Sequence, residues 1–197
     1  MKKIVFASHN LKKVEEIKSL LKGYIEILSL TDIDFHDEIE ETEQTIEGNA
    51  KLKADYITNK FGIDCFADDS GLLIDALDGA PGVYSARYAG EPKNDTNNLN
   101  LVLKNLENKE DRSAHFKTVI SLNFKGKNYN FEGIINGKIT TQAIGKSGFG
   151  YDPIFIPNGY DKTFAQMEMS EKSSISHRGQ AVKLLIDFLK QQNTVNI

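Results

Sequence analysis

The chain has 197 residues, 40% hydrophobic and 26% charged, with one Cys, no Trp, 15 Gly and 4 Pro. That composition excludes low-complexity disorder, a disulfide scaffold and a His/Cys metal site, and no apolar run approaches the roughly 18 residues that cross a bilayer. The formal charge of −4 argues against general nucleic-acid binding, but it is segregated: Gly23 to Ala50 holds nine acids and no Lys or Arg, leaving the remainder at +5. A soluble, cytoplasmic, single-domain protein spanning residues 1–197 is expected, with no membrane segment and no signal peptide.

In chain order, Ile4 to Ala7 is a short continuous apolar run, the pattern of a strand buried on both faces. Asn10 caps a helix with Val14, Ile17, Leu20 and Leu21 on one side, ending near Gly23. Ile25 to Leu30 reads as a second strand. After the acidic stretch, Thr45 starts a helix with Ala50, Ala54 and Ile57 at helical spacing. Cys65-Phe66-Ala67 is a third strand running into Asp68-Asp69-Ser70-Gly71, with Leu72 to Ile74 continuing it. Asp78 to Gly82 is turn chemistry, and a helix carrying Leu99, Val102, Leu103 and Leu106 follows. Strict alternation from Ala114 to Phe124 predicts a half-buried strand. A turn at Gly126-Lys127-Asn128 leads to a strand over Tyr129 to Ile135, and Asn136-Gly137 reads as a hairpin turn into a third member of an antiparallel ribbon. Ala181, Leu184, Leu185, Phe188 and Leu189 mark a final helix. The class is mixed α/β without repeats or a linker.

Four segments carry candidate chemistry. Ser8-His9-Asn10-Leu11-Lys12-Lys13 joins strand to helix, where free backbone N–H groups favour anions; two lysines in the first turn oppose the helix dipole and suit a bound polyanion, or are surface lysines beside an ordinary cap. Glu38 to Glu47, followed by Asn49, Lys51 and Lys53, is either a metal-holding segment or a solvated acidic loop. Asp68 and Asp69 follow an apolar strand, where α/β proteins bind ligands; on an extended chain they point to opposite sides, so that one can meet a cation while the other anchors the segment. The alternative is a ligand-free Asp-Asp-Ser-Gly turn. The fourth segment, Ser147 to Pro153, sets glycines around Phe149 and suits stacking on a base, or is plain loop. Lys172, His177 and Arg178 supply donors there, or lie on the surface. The adjacent Arg178 favours a neutral, hydrogen-bonding His177. Cys65, inside an apolar run, is no nucleophile.

Together these segments resemble the inosine/xanthosine triphosphate pyrophosphatase family, the Ham1-like nucleotide hydrolases. The likeness runs from Lys3 to Leu189 and rests on Ser8 to Lys13, Glu41-Thr42 through Lys53-Ala54, Ala67 to Leu72, Gly79 to Tyr88, Gly148 to Phe155 and Ser176-His177-Arg178. Two departures stand out: His9 occupies a position where a small residue is common, and Gln166-Met167 replaces Glu-Leu.

The resemblance implies an elongated mixed-sheet α/β fold with two lobes flanking a substrate cleft, and a homodimer. It also implies Mg²⁺-dependent hydrolysis of ITP, dITP and XTP to monophosphate and pyrophosphate. On its terms Glu41 and Asp69 hold Mg²⁺, and Asp69 takes the proton of the attacking water with Asp68 in support. Ser8, Asn10, Lys12 and Lys13 grip phosphates with Lys53 and Lys172, His9 and Leu11 belong to the same substrate-binding segment, and Ser70 meets the substrate. Phe149 stacks on the base, framed by Gly150, Tyr151, Asp152, His177 and Arg178. Backbone N–H groups or Arg178 aimed at the purine 6-position would accept an oxo group and reject an amino group. Two alternatives keep the same residues: a nucleotide sensor that does not hydrolyse, and a pyrophosphatase with another modified-base preference. A nucleic-acid binder using the basic remainder is the third class.

Overall fold

The computed structural model describes residues 3–194. It is mixed α/β, as expected, with β1 (Lys3–Phe6), α1 (Leu11–Leu21), β2 (Glu26–Leu28), α2 (Ile46–Phe61), β3 (Cys65–Ile74), α3 (Asp95–Asn105), β4 (Ser113–Phe124), β5 (Lys127–Ile139), β6 (Phe155–Pro157), α4 (Met169–Ile175) and α5 (His177–Thr194). The strands form one sheet in the order β2-β1-β3-β4-β5-β6. β1 pairs in parallel with β2 (Ile4 opposite Ile27) and with β3 (Val5 opposite Cys65), and β5 pairs antiparallel with β6 (Lys138 opposite Ile156).

Both predicted caps are present: the Asn10 side chain accepts from the Lys13 N–H, and Thr45 accepts from the Gly48 N–H. Three readings need correction. Residues 136–137 are not a turn. Gly137 lies inside β5, opposite Pro157, and a Cβ there would collide with the Ile156 carbonyl and the Phe155 ring, so this glycine serves close strand approach. The real turn between β4 and β5 is two residues, Lys125 and Gly126, both with positive φ, as a tight hairpin requires. Nor is β4 half-buried throughout: Thr118 to Leu122 are buried on both faces. Ile120, Leu122 and Phe124 pack with α5, while Asn123 donates to Asp55 and Thr58 of α2.

The chain resolves into two compact units. Unit 1 comprises residues 1–69, 118–132 and 180–197; unit 2 comprises 70–117 and 133–179. Unit 1 holds two apolar clusters. One sets Val14, Ile17 and Leu21 of α1 and Ala181, Val182 and Leu185 of α5 around Ile4, Phe6 and Phe66; the other sets Ala54 and Ile57 of α2 against Val5, Ala7, Cys65 and Ala67. Unit 2 has its own core of Leu72, Ile74, Leu99, Val102, Phe116, Tyr151, Phe155 and Phe164. None of the described helices is long and apolar enough to cross a membrane.

Candidate functional site

The alternation of β3 decides where its two carboxylates go. Phe66 faces the α1–α5 cluster, and Cys65 and Ala67 face α2. Continuing that period of two, Asp68 lies on the α1 side and Asp69 on the α2 side. Asp68 accordingly pairs with Lys13 of α1, Nζ to Oδ2 3.0 Å, and Asp69 lies 3.6 Å from Lys53 Nζ of α2. Lys53 Nζ also reaches Glu41 Oε1 at 2.5 Å. The Asp-Asp pair is therefore not a loop but the buried middle of a ten-residue strand.

This unit-1 group is nearly dry. Asp69 is 6% exposed, and burial raises its carboxyl above the usual range, with Lys53 and Lys13 pulling it back down and Glu41 and Asp68 adding to the rise. Burial alone would lower the Lys53 ammonium, but Asp69, Glu41 and Asp68 together raise it above its ordinary value, so Lys53 is a fixed cation.

Asp69 Oδ2 is buried with no hydrogen-bond partner among the described residues. An orphaned carboxylate oxygen beside a second carboxylate, Glu41, fits a hard divalent cation. Such an ion takes one or two protein carboxylates and completes its shell with phosphates and water. No group of three or more His, Cys, Asp or Glu is arranged for a metal among the described residues.

The rest of the first segment is less uniform. Lys13 is drawn in to Asp68, whereas Leu11 is 72% exposed and Lys12 is exposed. Asn10 spends its side chain on the cap, and Ser8 Oγ accepts from the Asn10 N–H. His9 turns to the acidic stretch: its Nε2 lies 2.9 Å from the Asp37 carbonyl and its ring stacks on Phe35. That stretch is tied down at Asp32 by Lys18, at Asp37 by Lys60 and at Glu41 by Lys53, while Glu38, Glu40 and Glu43 are exposed.

Unit 2 carries the second group. Lys172, in α4, and His177 and Arg178, at the start of α5, are buried rather than superficial, at 7%, 5% and 3% exposure. Lys172 Nζ donates to Asp152 Oδ2 at 2.7 Å, and the same oxygen accepts from the Phe149 N–H at 2.9 Å. Burial raises the Asp152 carboxyl; Lys172, the Phe149 N–H and Arg178 oppose the rise. Lys172 Nζ and the Arg178 guanidinium both lie over the Phe149 ring, 5.0 and 5.5 Å from its centre, and Arg178 Nη2 reaches Ser70 Oγ at 3.3 Å. His177 stacks flat on Phe116, 4.6 Å apart, so it packs on a core ring and not on Phe149. Tyr151 is buried, its hydroxyl donating to the Ser85 carbonyl.

Three amides of the 149–152 loop are already engaged: Phe149 N–H to Asp152, Gly150 N–H to Asp95 Oδ2 and Asp152 N–H to the Phe149 carbonyl. That removes these three N–H groups as readers of a purine 6-position; Arg178 remains in the expected set. Two participants escaped the sequence reading. Asp95 opens α3, 55 positions before the glycine it holds, and Phe116 sits in a strand where its periodicity signalled only core.

With this geometry in hand, the comparisons with known proteins are specific. Residues 4–188 match the model of the Ham1 family. The chain is 59% identical over 187 residues to a dITP/XTP pyrophosphatase of Flavobacterium johnsoniae, covering 95% of this chain and 97% of that protein. It is 55% identical over 189 residues to a dITP/XTP pyrophosphatase of Christiangramia forsetii, covering 96% and 100%. Among solved structures, a HAM1 protein from Coxiella burnetii superposes with a TM-score of 0.90 at 41% identity, covering 97% of this chain and all of that one.

Proposed function

The chain belongs to the Ham1 family, and from that premise we propose that it is a hydrolase converting ITP, dITP and XTP to the monophosphate and pyrophosphate with Mg²⁺, as a homodimer in the cytoplasm. The observation that carries the reading is the unit-1 group: Asp69, buried and raised, with one oxygen unpartnered, beside Glu41 and the fixed cation Lys53. A nucleoside triphosphate brings about four negative charges, so catalysis rests on charge neutralisation and on positioning of water.

Glu41 and Asp69 are the residues that would hold the divalent cation, which when bound neutralises charge on the phosphate oxygens. Lys13 and Lys53 add fixed positive charge. Asp69 accepts the proton of the water that attacks the α-phosphorus. As the new P–O bond forms, the bond from that phosphorus to the β-bridging oxygen breaks, and pyrophosphate departs. Lys53, ion-paired to both acids, holds their spacing.

Phe149, with Lys172 and Arg178 over its ring, is the aromatic side chain on which a purine would stack. Arg178 is the donor that suits the 6-oxo group of hypoxanthine or xanthine and meets an amino group unfavourably. Incubation with ITP and Mg²⁺ is expected to give IMP and pyrophosphate. Release of IDP and orthophosphate, or tight ITP binding without turnover, would overturn the assignment. A panel of ITP, XTP, GTP, ATP and modified pyrimidine triphosphates decides the base preference.

A further inference from the structure

The turn motif Gly79 to Tyr88 and the start of α3 have no part in the chemistry so far, yet within unit 2 they form one block fastened to the 149–152 loop. Asn98 of α3, 2% exposed, donates from Nδ2 to the Ala86 carbonyl and accepts the Ala89 N–H at Oδ1. Asn105 donates to the Tyr88 hydroxyl. Ser85 Oγ donates to the Gly82 carbonyl and accepts the Leu72 N–H, which locks the turn onto β3. Hydrogen bonds joining this block to the loop include Tyr151 Oη to the Ser85 carbonyl at 2.8 Å and the Gly150 N–H to Asp95 Oδ2 at 2.9 Å.

The loop needs such fastening. Gly148 and Gly150 both have positive φ, at 78° and 60°, so Phe149 sits between two residues with little conformational preference of their own. Fixing its ring falls to side chains from elsewhere. Asp152 holds the Phe149 amide from within the loop, and Asp95 holds the next amide from outside it. A carboxylate accepting a backbone N–H makes a stronger bond than a neutral acceptor does.

We propose that Asp95 is a specificity-determining positioning residue: by pinning Gly150 to α3 it holds the Phe149 ring in the one plane that Lys172 and Arg178 flank. The inference rests on the reading of the 149–152 loop as the base-binding element. The Gly79–Tyr88 motif then braces α3, which carries Asp95, through Asn98, and meets the loop directly at Ser85.

The test compares Asp95→Ala and Asp95→Asn with the unaltered protein. In Asp95→Ala the KM for ITP is expected to rise roughly five- to tenfold, the effect of one charge-assisted hydrogen bond, with kcat changed less than about twofold. The preference for ITP over ATP is expected to shrink. Inhibition by inorganic triphosphate, which has no base, stays within about twofold, and amide exchange over residues 147–152 quickens. Asp95→Asn, which retains an acceptor oxygen, restores most of the ITP affinity. Unchanged ITP affinity and exchange in Asp95→Ala would overturn the proposal, as would equal weakening of ITP and inorganic triphosphate. Failure of the unaltered protein to hydrolyse ITP would count against the functional reading alone, and the exchange measurement would still support or overturn the anchor.

Discussion

At Asp69 three influences meet in one carboxylate: burial raises its pKa, Lys53 and Lys13 lower it, and Oδ2 keeps an unused lone-pair direction. Asp69→Asn preserves shape but removes the proton acceptor, and turnover is expected to fall at least about 100-fold. Steady-state pyrophosphate release checks this, and near-normal rates would remove the role. Asp152 illustrates the opposite use of a buried acid. Its Oδ2 serves both Lys172 Nζ and the Phe149 amide, so Asp152→Ala strands a buried ammonium. A loss of about 3–5 kcal/mol is expected in denaturant unfolding, the range for breaking a buried pair from one side. Cys65 has no such chemistry. Its thiol is wholly buried and its pKa is pushed up by that burial, so a thiol reagent should leave it unmodified until the protein unfolds.

Elements place these residues by rules that differ in reach. The caps Asn10 and Thr45, the run 65–67 and the helical spacing in α1 and α2 were legible because each depends on neighbours within a few residues. Thr45→Ala should cost about 1 kcal/mol, since the Gly48 N–H loses its acceptor. Gly137 marks where such rules fail. Asn-Gly is a strong turn signal, but here the glycine is required by β6, which arrives from about twenty residues later, and no local pattern reveals that partner. Gly137→Ala is expected to destabilise by about 1–3 kcal/mol through its clash with the Ile156 carbonyl, whereas a glycine serving a turn would show its cost in φ instead. Chemical denaturation distinguishes them when paired with Gly126→Ala, whose penalty is backbone strain.

On the scale of the molecule, the two compact units are not consecutive stretches of chain. β3, β4, β5 and α5 each contribute residues to both, which is why no linker divides the sequence. The net charge is similarly interleaved. The acidic stretch is met by Lys18 from α1 and by Lys53 and Lys60 from α2, so what reads as a −9 segment is in part ion-paired within unit 1. The sequence by itself determined the α/β class, the caps, the chemical kinds of residue at each site and, through their ordered motifs, the family. Alternation along β3 even determined that Asp68 and Asp69 face opposite ways. Only the tertiary structure decided which lysine answers which carboxylate and that Lys172, His177 and Arg178 are buried. It alone also showed that the Phe149, Gly150 and Asp152 amides are engaged and that Asp95 reaches Gly150. The reason is physical: caps, strand alternation and helical periodicity follow from backbone geometry over a few residues, whereas these pairings form only once distant segments have packed.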